Sequence, residues 1–71
     1  DREPAQAALR YGESCDLGAG IGCYNLSHML KLGDGVDKDL EKASALYEKA
    51  CAAAVTAACA EYAAALEAGG E

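Results

Sequence analysis

The sequence predicts an all-α chain of about four helices folded as antiparallel hairpins. Three observations predict it. Glycines sit between long runs of helix-forming residues, most plainly at Gly33 and Gly35. Apolar residues recur three or four apart within those runs, the period of a helix that buries one face. The cysteines form two pairs of identical spacing, Cys15 with Cys23 and Cys51 with Cys59, and the second pair follows the first by 36 residues. A shift of 36 also superposes Asp1 on Asp37, Ala7 on Ala43, Tyr11 on Tyr47, Leu30 on Leu66 and Gly33 on Gly69 with no insertion. A period near 36 belongs to helical hairpin arrays, the α-solenoids, and not to strands.

The first helix is expected to start at Pro4, because the first helical position has no use for the missing N–H, and to run to about Cys15 or Leu17. Gly18 and Gly20 should stop it. The second runs from about Gly22 to Leu32 with Cys23, Leu26, Met29 and Leu30 on one side, and Gly33 is its natural left-handed cap. Asp39 is a good N-cap for the third, which carries Leu40, Ala43, Tyr47, Ala50 and Cys51 on one stripe and Glu41, Lys42, Glu48 and Lys49 on the wet side. The fourth is expected over about Thr56 to Ala68, with Cys59, Tyr62 and Leu66 on its face, ended by Gly69 and Gly70.

The third joint is less well punctuated. Ala52, Ala53 and Ala54 stand where the first copy has Asp16, Leu17 and Gly18. Alanine is the best helix former, so the third and fourth helices have the option of merging into one rod. In a continuous helix, residues eight apart lie about 12 Å apart by the helical rise, beyond the roughly 7 Å limit for a disulfide. A Cys51 to Cys59 bond therefore requires a turn, and the repeat favours the turn.

Composition narrows the functional classes. Six basic and twelve acidic residues give 6 − 12 = −6, with no basic cluster, which argues against nucleic acid or an anionic membrane as a partner. No apolar run approaches the roughly 20 residues that span a bilayer; the charged start Asp1, Arg2, Glu3 does not read as a signal peptide, but a processed chain would start the same way, so targeting is unreadable from the sequence. With no Trp or Phe the core is thin, and packing alone is a weak source of stability at this length.

Disulfides within each cysteine pair form the only connectivity that repeats; each would close a loop of about nine residues, stabilising by roughly 2 to 3 kcal/mol on the chain-entropy model. Four reduced thiols are the alternative. Zinc fits less well, since seven residues separate each pair where two to four are usual, and a redox Cys-x-x-Cys is absent. The carboxylates Asp34, Asp37, Asp39 and Glu41 suggest a cation loop, but counting from Asp34 the third ligand position is Val36, so a charged turn pinned by Val36 is the better account. His28, the only histidine, reads as a surface residue. Ser27 is either small for a close helix approach or simply exposed. None of Ser14, Ser27 and Ser44 sits in a nucleophile turn, so no catalytic residue, metal or cofactor is assigned.

The segment Tyr24-Asn25-Leu26-Ser27-His28-Met29-Leu30, followed by Gly33-Asp34-Gly35-Val36, Asp39, Lys42-Ala43, Tyr47 and Lys49-Ala50, resembles the Sel1-like repeats, relatives of the tetratricopeptide hairpins. With its cysteine pairs the chain is similar to the disulfide-rich branch of that family, although Cys51-Ala52-Ala53 departs from the Cys-Asp-x-Gly that Cys15-Asp16-Leu17-Gly18 keeps, and Ser27 replaces a glycine. The resemblance implies one module. Residues 1–18 would be the second helix of a preceding unit, 19–54 a complete unit, and 55–71 the first helix of a following one.

It further implies a right-handed superhelix whose first helices line a concave face, with Asn25, His28 and Glu61 available to a protein or peptide partner. Asn25 stands out, because its amide both donates to and accepts from a peptide backbone. The expectation is a non-enzymatic interaction scaffold in an oxidising compartment (secreted, periplasmic, or the mitochondrial intermembrane space), monomeric or weakly self-associating through its open ends. The branch suggests alternatives: respiratory-chain assembly, haem or thiol handling through His28, or β-lactam binding and hydrolysis through Ser27. The 11 alanines from Ala50 to Ala68 suggest a further one, a designed or trimmed minimal repeat without a natural partner.

Overall fold

In the computed structural model, residues 3 to 69 are described, with side-chain surroundings over residues 3 to 67. They form four α-helices and no strand among the described residues: α1 (Pro4–Asp16), α2 (Gly20–Leu32), α3 (Leu40–Ala52) and α4 (Thr56–Gly69). Asp1 and Arg2, and Gly70 and Glu71, which were expected to flank the first and fourth helices, lie outside the described residues. Each helix packs on the next in an all-α arrangement of hairpins, with α2 held between α1 and α3.

Each helix starts for a local reason. Pro4 opens α1, and the Glu3 carbonyl accepts the first hydrogen bonds, from Gln6 and Ala7. At α3 the Asp39 carboxylate accepts from the Lys42 N–H at 3.0 Å, which satisfies one of the helix's orphan donors. α2 begins earlier than its pattern suggested. Gly20, expected as a stop signal, is its first residue, and a side chain there would run into Ala53 and Val55 of the next joint. The glycine is kept for a close approach between neighbouring segments.

The two hairpin joints share one hydrogen-bond pattern. At the first, Gly18 donates to the Cys15 carbonyl and Ala19 to that of Ser14; 36 residues on, Ala54 donates to Cys51 and Val55 to Ala50. These are the paired bonds of a Schellman motif, which needs a left-handed residue after the helix. Gly18 supplies it at φ 95 and Ala54 at φ 72, so the alanine run does turn. Cys15 is bonded to Cys23 and Cys51 to Cys59, each pair with its Cα atoms 4.6 Å apart. Between the hairpins Gly33 takes φ 72 and closes α2 through the Met29 carbonyl. Val36, half-buried, packs from that loop onto the core.

The core is small and runs along the middle of the chain: Cys15, Cys23, Leu30, Ala43, Tyr47, Ala50 and Ala58, with Val55 and Tyr62 packed on it. Of the expected stripe residues, Leu40 and Leu66 are exposed, 59 % and 52 %.

Candidate functional site

α3 forms the floor of a groove between α2 and α4. Its Ala43, Ser44 and Tyr47 line a cavity of about 630 Å³, walled on one side by Lys31 of α2 and on the other by Glu61, Ala64, Ala65 and Leu66 of α4. The lining is largely apolar with charges at its edge. Lys31 Nζ and Glu61 Oε1 are 3.5 Å apart across the groove, both partly exposed. A pair so placed holds α2 and α4 together weakly and parts at little cost.

Tyr47 lies at the base, 2 % exposed. Its ring meets that of His28 edge-on at 5.6 Å and that of Tyr24 at 6.1 Å, while His28 and Tyr24 meet edge-on at 4.7 Å. Edge-on contacts set the positive rim of one ring against the face of another. The Tyr47 hydroxyl is buried without a hydrogen-bond partner. Ser27 lies beside it, but its Oγ donates to the Tyr24 carbonyl at 2.6 Å. Burial pushes the Tyr47 phenol above the ordinary tyrosine value, and the charge of Glu61 and the presence of Tyr24 add to the rise; with its proton committed to the Tyr24 carbonyl, the Ser27 hydroxyl has none left to offset it.

A second cavity, about 720 Å³, lies in the first hairpin. Pro4, Ala7, Tyr11, Asn25 and Met29 line it at positions 36 before Leu40, Ala43, Tyr47, Glu61 and Ala65 of the first. Its chemistry differs, since Glu3, Gln6, Arg10 and Asp34 also border it.

The structure therefore divides the residues expected to meet a partner. Asn25 and Glu61 occupy equivalent places in two different cavities, and His28 stands on α2 between them, against Tyr47. His28 is half-buried in the aromatic cluster where a surface residue was expected, and Ser27 is fully buried where exposure was one of two readings. The His28 correction and the choice between the two Ser27 readings have one cause: α2 is covered by a helix on each side. Lys31 was missed, because nothing in the sequence links it to a carboxylate thirty residues on. Tyr47 was legible only as core, although its match with Tyr11 in the repeat marked the position. Among the described residues no cluster of three or more His, Cys, Asp or Glu side chains is placed to hold a metal, and no helix is long and apolar enough to cross a membrane.

No family model and no solved structure matches the chain. It is 54% identical over 44 residues to cytochrome c oxidase assembly factor 7 of Xenopus tropicalis, and 52% identical over 44 residues to assembly factor 7A of Xenopus laevis. Each match covers 61% of this chain and 19% of the relative. A Helicobacter pylori protein named as a candidate beta-lactamase, HcpD, is 43% identical over 37 residues, 52% of this chain and 12% of its own. The chain thus spans about a fifth or less of the relatives it matches. Two cystines in 71 residues fit an oxidising compartment. The relatives, the cystines and the paired hairpins together bear out the resemblance to the disulfide-rich Sel1-like repeats.

Proposed function

We propose that the chain is a protein-interaction module whose α2–α3–α4 groove takes a partner segment, with an apolar side chain of that segment seated over Tyr47. The observation that carries this is the repeated cavity: two hairpins, 36 residues apart, present the same hollow from equivalent positions, one apolar and one polar. In this reading Glu61 and Asn25 are the polar groups that each hollow offers the partner's backbone or charged ends, and His28 keeps Tyr47 in place between them. The cystines hold the hairpins rigid, so that little ordering cost falls on binding. The assembly-factor names of the Xenopus relatives agree with a role exercised on other proteins, and an oxidising space such as the mitochondrial intermembrane space or the periplasm suits the cystines.

Selection of peptides from a random displayed library, followed by NMR mapping of a selected peptide, tests the reading. Shifts are expected at Tyr47, Glu61 and Ala64, with binding lost in Ala64→Trp, which fills the hollow. A selected peptide that shifts none of these, or binds Ala64→Trp equally well, overturns it. The name of HcpD motivates a second reading, β-lactam hydrolysis, for which Ser27 would be the nucleophile. Its hydroxyl is 0 % exposed and committed to the Tyr24 carbonyl, so acyl transfer there has no approach. Turnover of a chromogenic β-lactam that is abolished by Ser27→Ala would restore this second reading.

A further inference from the structure

The base of the α2–α3–α4 groove holds an oxygen that no donor reaches. Tyr47 lines the groove with its hydroxyl buried and unpartnered. Ser27 beside it is 0 % exposed and gives its only proton to the Tyr24 carbonyl. The charged groups of the lining are two carboxylates, Glu41 and Glu61, against one ammonium, Lys31. Glu61 is near enough for its charge to act on the Tyr47 phenol. Lys31, Tyr47 and Glu61 lie where α2, α3 and α4 face one another, so the site draws on no surface at either end of the chain.

Lys31 is a weak occupant of this site. Its side chain is 48 % exposed and that of Glu61 33 %, so water screens their 3.5 Å pair and little is lost when it parts. Nor does the Lys31 ammonium donate to Tyr47, whose hydroxyl has no partner. A basic side chain entering from a partner would lay its methylene stem over Ala43 and bring several N–H donors to Glu61 and the Tyr47 oxygen together. A charged donor makes the stronger hydrogen bond, and more so away from water. The net charge of −6 also draws a basic segment in from a distance. An acidic side chain would meet both carboxylates and gain only Lys31.

We infer that the partner segment carries a lysine or arginine, which displaces Lys31 from Glu61 and donates to the Tyr47 hydroxyl. This deepens the reading of the groove as a partner site and rests on it. Lys31 then holds the place of the partner's cation while the groove is empty.

Peptides selected from a random displayed library against the full chain supply the probe, and Ala64→Trp shows which of them occupy the groove. Among those, lysine and arginine should be enriched at one position beside the apolar anchor. Titration of one such basic peptide onto three variants gives the signs. Glu61→Gln should weaken binding about tenfold, and Tyr47→Phe about fivefold. Lys31→Ala should strengthen it about threefold, because the competing ammonium is gone. Circular dichroism confirms that each variant is folded, and a gain in Lys31→Ala is not an effect that unfolding produces. Groove peptides without basic enrichment, enrichment of Asp and Glu that Lys31→Ala abolishes, or variants that bind the basic peptide as the wild type does would each overturn the inference and leave the groove reading standing. Peptides indifferent to Ala64→Trp, or a library that yields no binder, would overturn both.

Discussion

At the joint between α1 and α2 the left-handed residue is Gly18; at the joint between α3 and α4 it is Ala54. The hydrogen bonds around them are the same, and so is the cystine that spans each turn. Only the side chain differs. For an L-residue the left-handed region costs about 1 to 2 kcal/mol, and the residues before Ala54 are alanines, which prefer to continue a helix. The second joint thus adopts against its local preference a shape that the first adopts with it. The difference shows what the Cys51–Cys59 bond does. It enforces a turn that the chain nearby does not favour, whereas Cys15–Cys23 fastens a turn already written in glycine.

The largest expected effect follows from removing each cystine in turn. Cys15→Ser with Cys23→Ser should cost about 2 to 3 kcal/mol on the chain-entropy model and leave the first turn in place. Cys51→Ser with Cys59→Ser should cost a similar amount and change the structure as well. The stretch Ala52 to Thr56 is then free to become helical, and α3 and α4 merge. Denaturant unfolding reads the energies, while NMR carbon shifts over Ala52 to Thr56 read the conformation. Retention of the turn by the second variant would mean that the Schellman bonds and the contact of Val55 with the core hold it unaided.

Much of this fold was legible because the cysteines are rulers. Two residues eight apart, repeated at 36, fix both the helix count and the places where the chain must reverse, and they overrule the propensity of Ala52, Ala53 and Ala54. The helix limits followed from Pro4, Gly33 and Asp39, whose backbone roles are local. Gly20 was misread because a glycine kept for close approach to Ala53 looks, in sequence, like one kept for a turn. The candidate site was less legible. Asn25, His28 and Glu61 came from a resemblance, and their division between two cavities depends on which helices α2 touches, as does the burial of Ser27. Pairing of Lys31 with Glu61 is a tertiary fact with no sequence signature.

Exchanging the two left-handed residues sharpens the comparison at smaller cost. Gly18→Ala should destabilise by about 1 kcal/mol, all of it conformational, since a methyl group at Gly18 would meet nothing within 4 Å. Ala54→Gly should stabilise by about 0.5 to 1 kcal/mol, the relief of the left-handed alanine less the extra freedom glycine has in the unfolded chain. Thermal midpoints of the two single variants and of the double variant check both signs. The double variant should fall near the wild type, because the joints lie in different hairpins. A loss of stability in Ala54→Gly would show that the unfolded-state freedom of glycine outweighs the relief.

The smallest effect is at the tyrosines that the repeat sets in register. Tyr47 has a buried hydroxyl with no partner, so Tyr47→Phe should leave stability at neutral pH unchanged or raise it by less than about 1 kcal/mol. At high pH the two proteins should diverge. Burial holds the folded Tyr47 phenol above the ordinary value of about 10, so the unfolded chain ionises first. Stability from the neutral phenol is fully present below that value and is lost as pH rises towards the folded one. Tyr47→Phe removes that loss, and its thermal midpoint should fall less steeply between about pH 9 and 11 than that of the wild type. Tyr11→Phe, at the equivalent position on the less covered α1, serves as the reference. Equal slopes for Tyr47→Phe and the wild type would mean that the hydroxyl reaches water as the fold breathes, and the Tyr47 hollow would then be wetter than its burial implies.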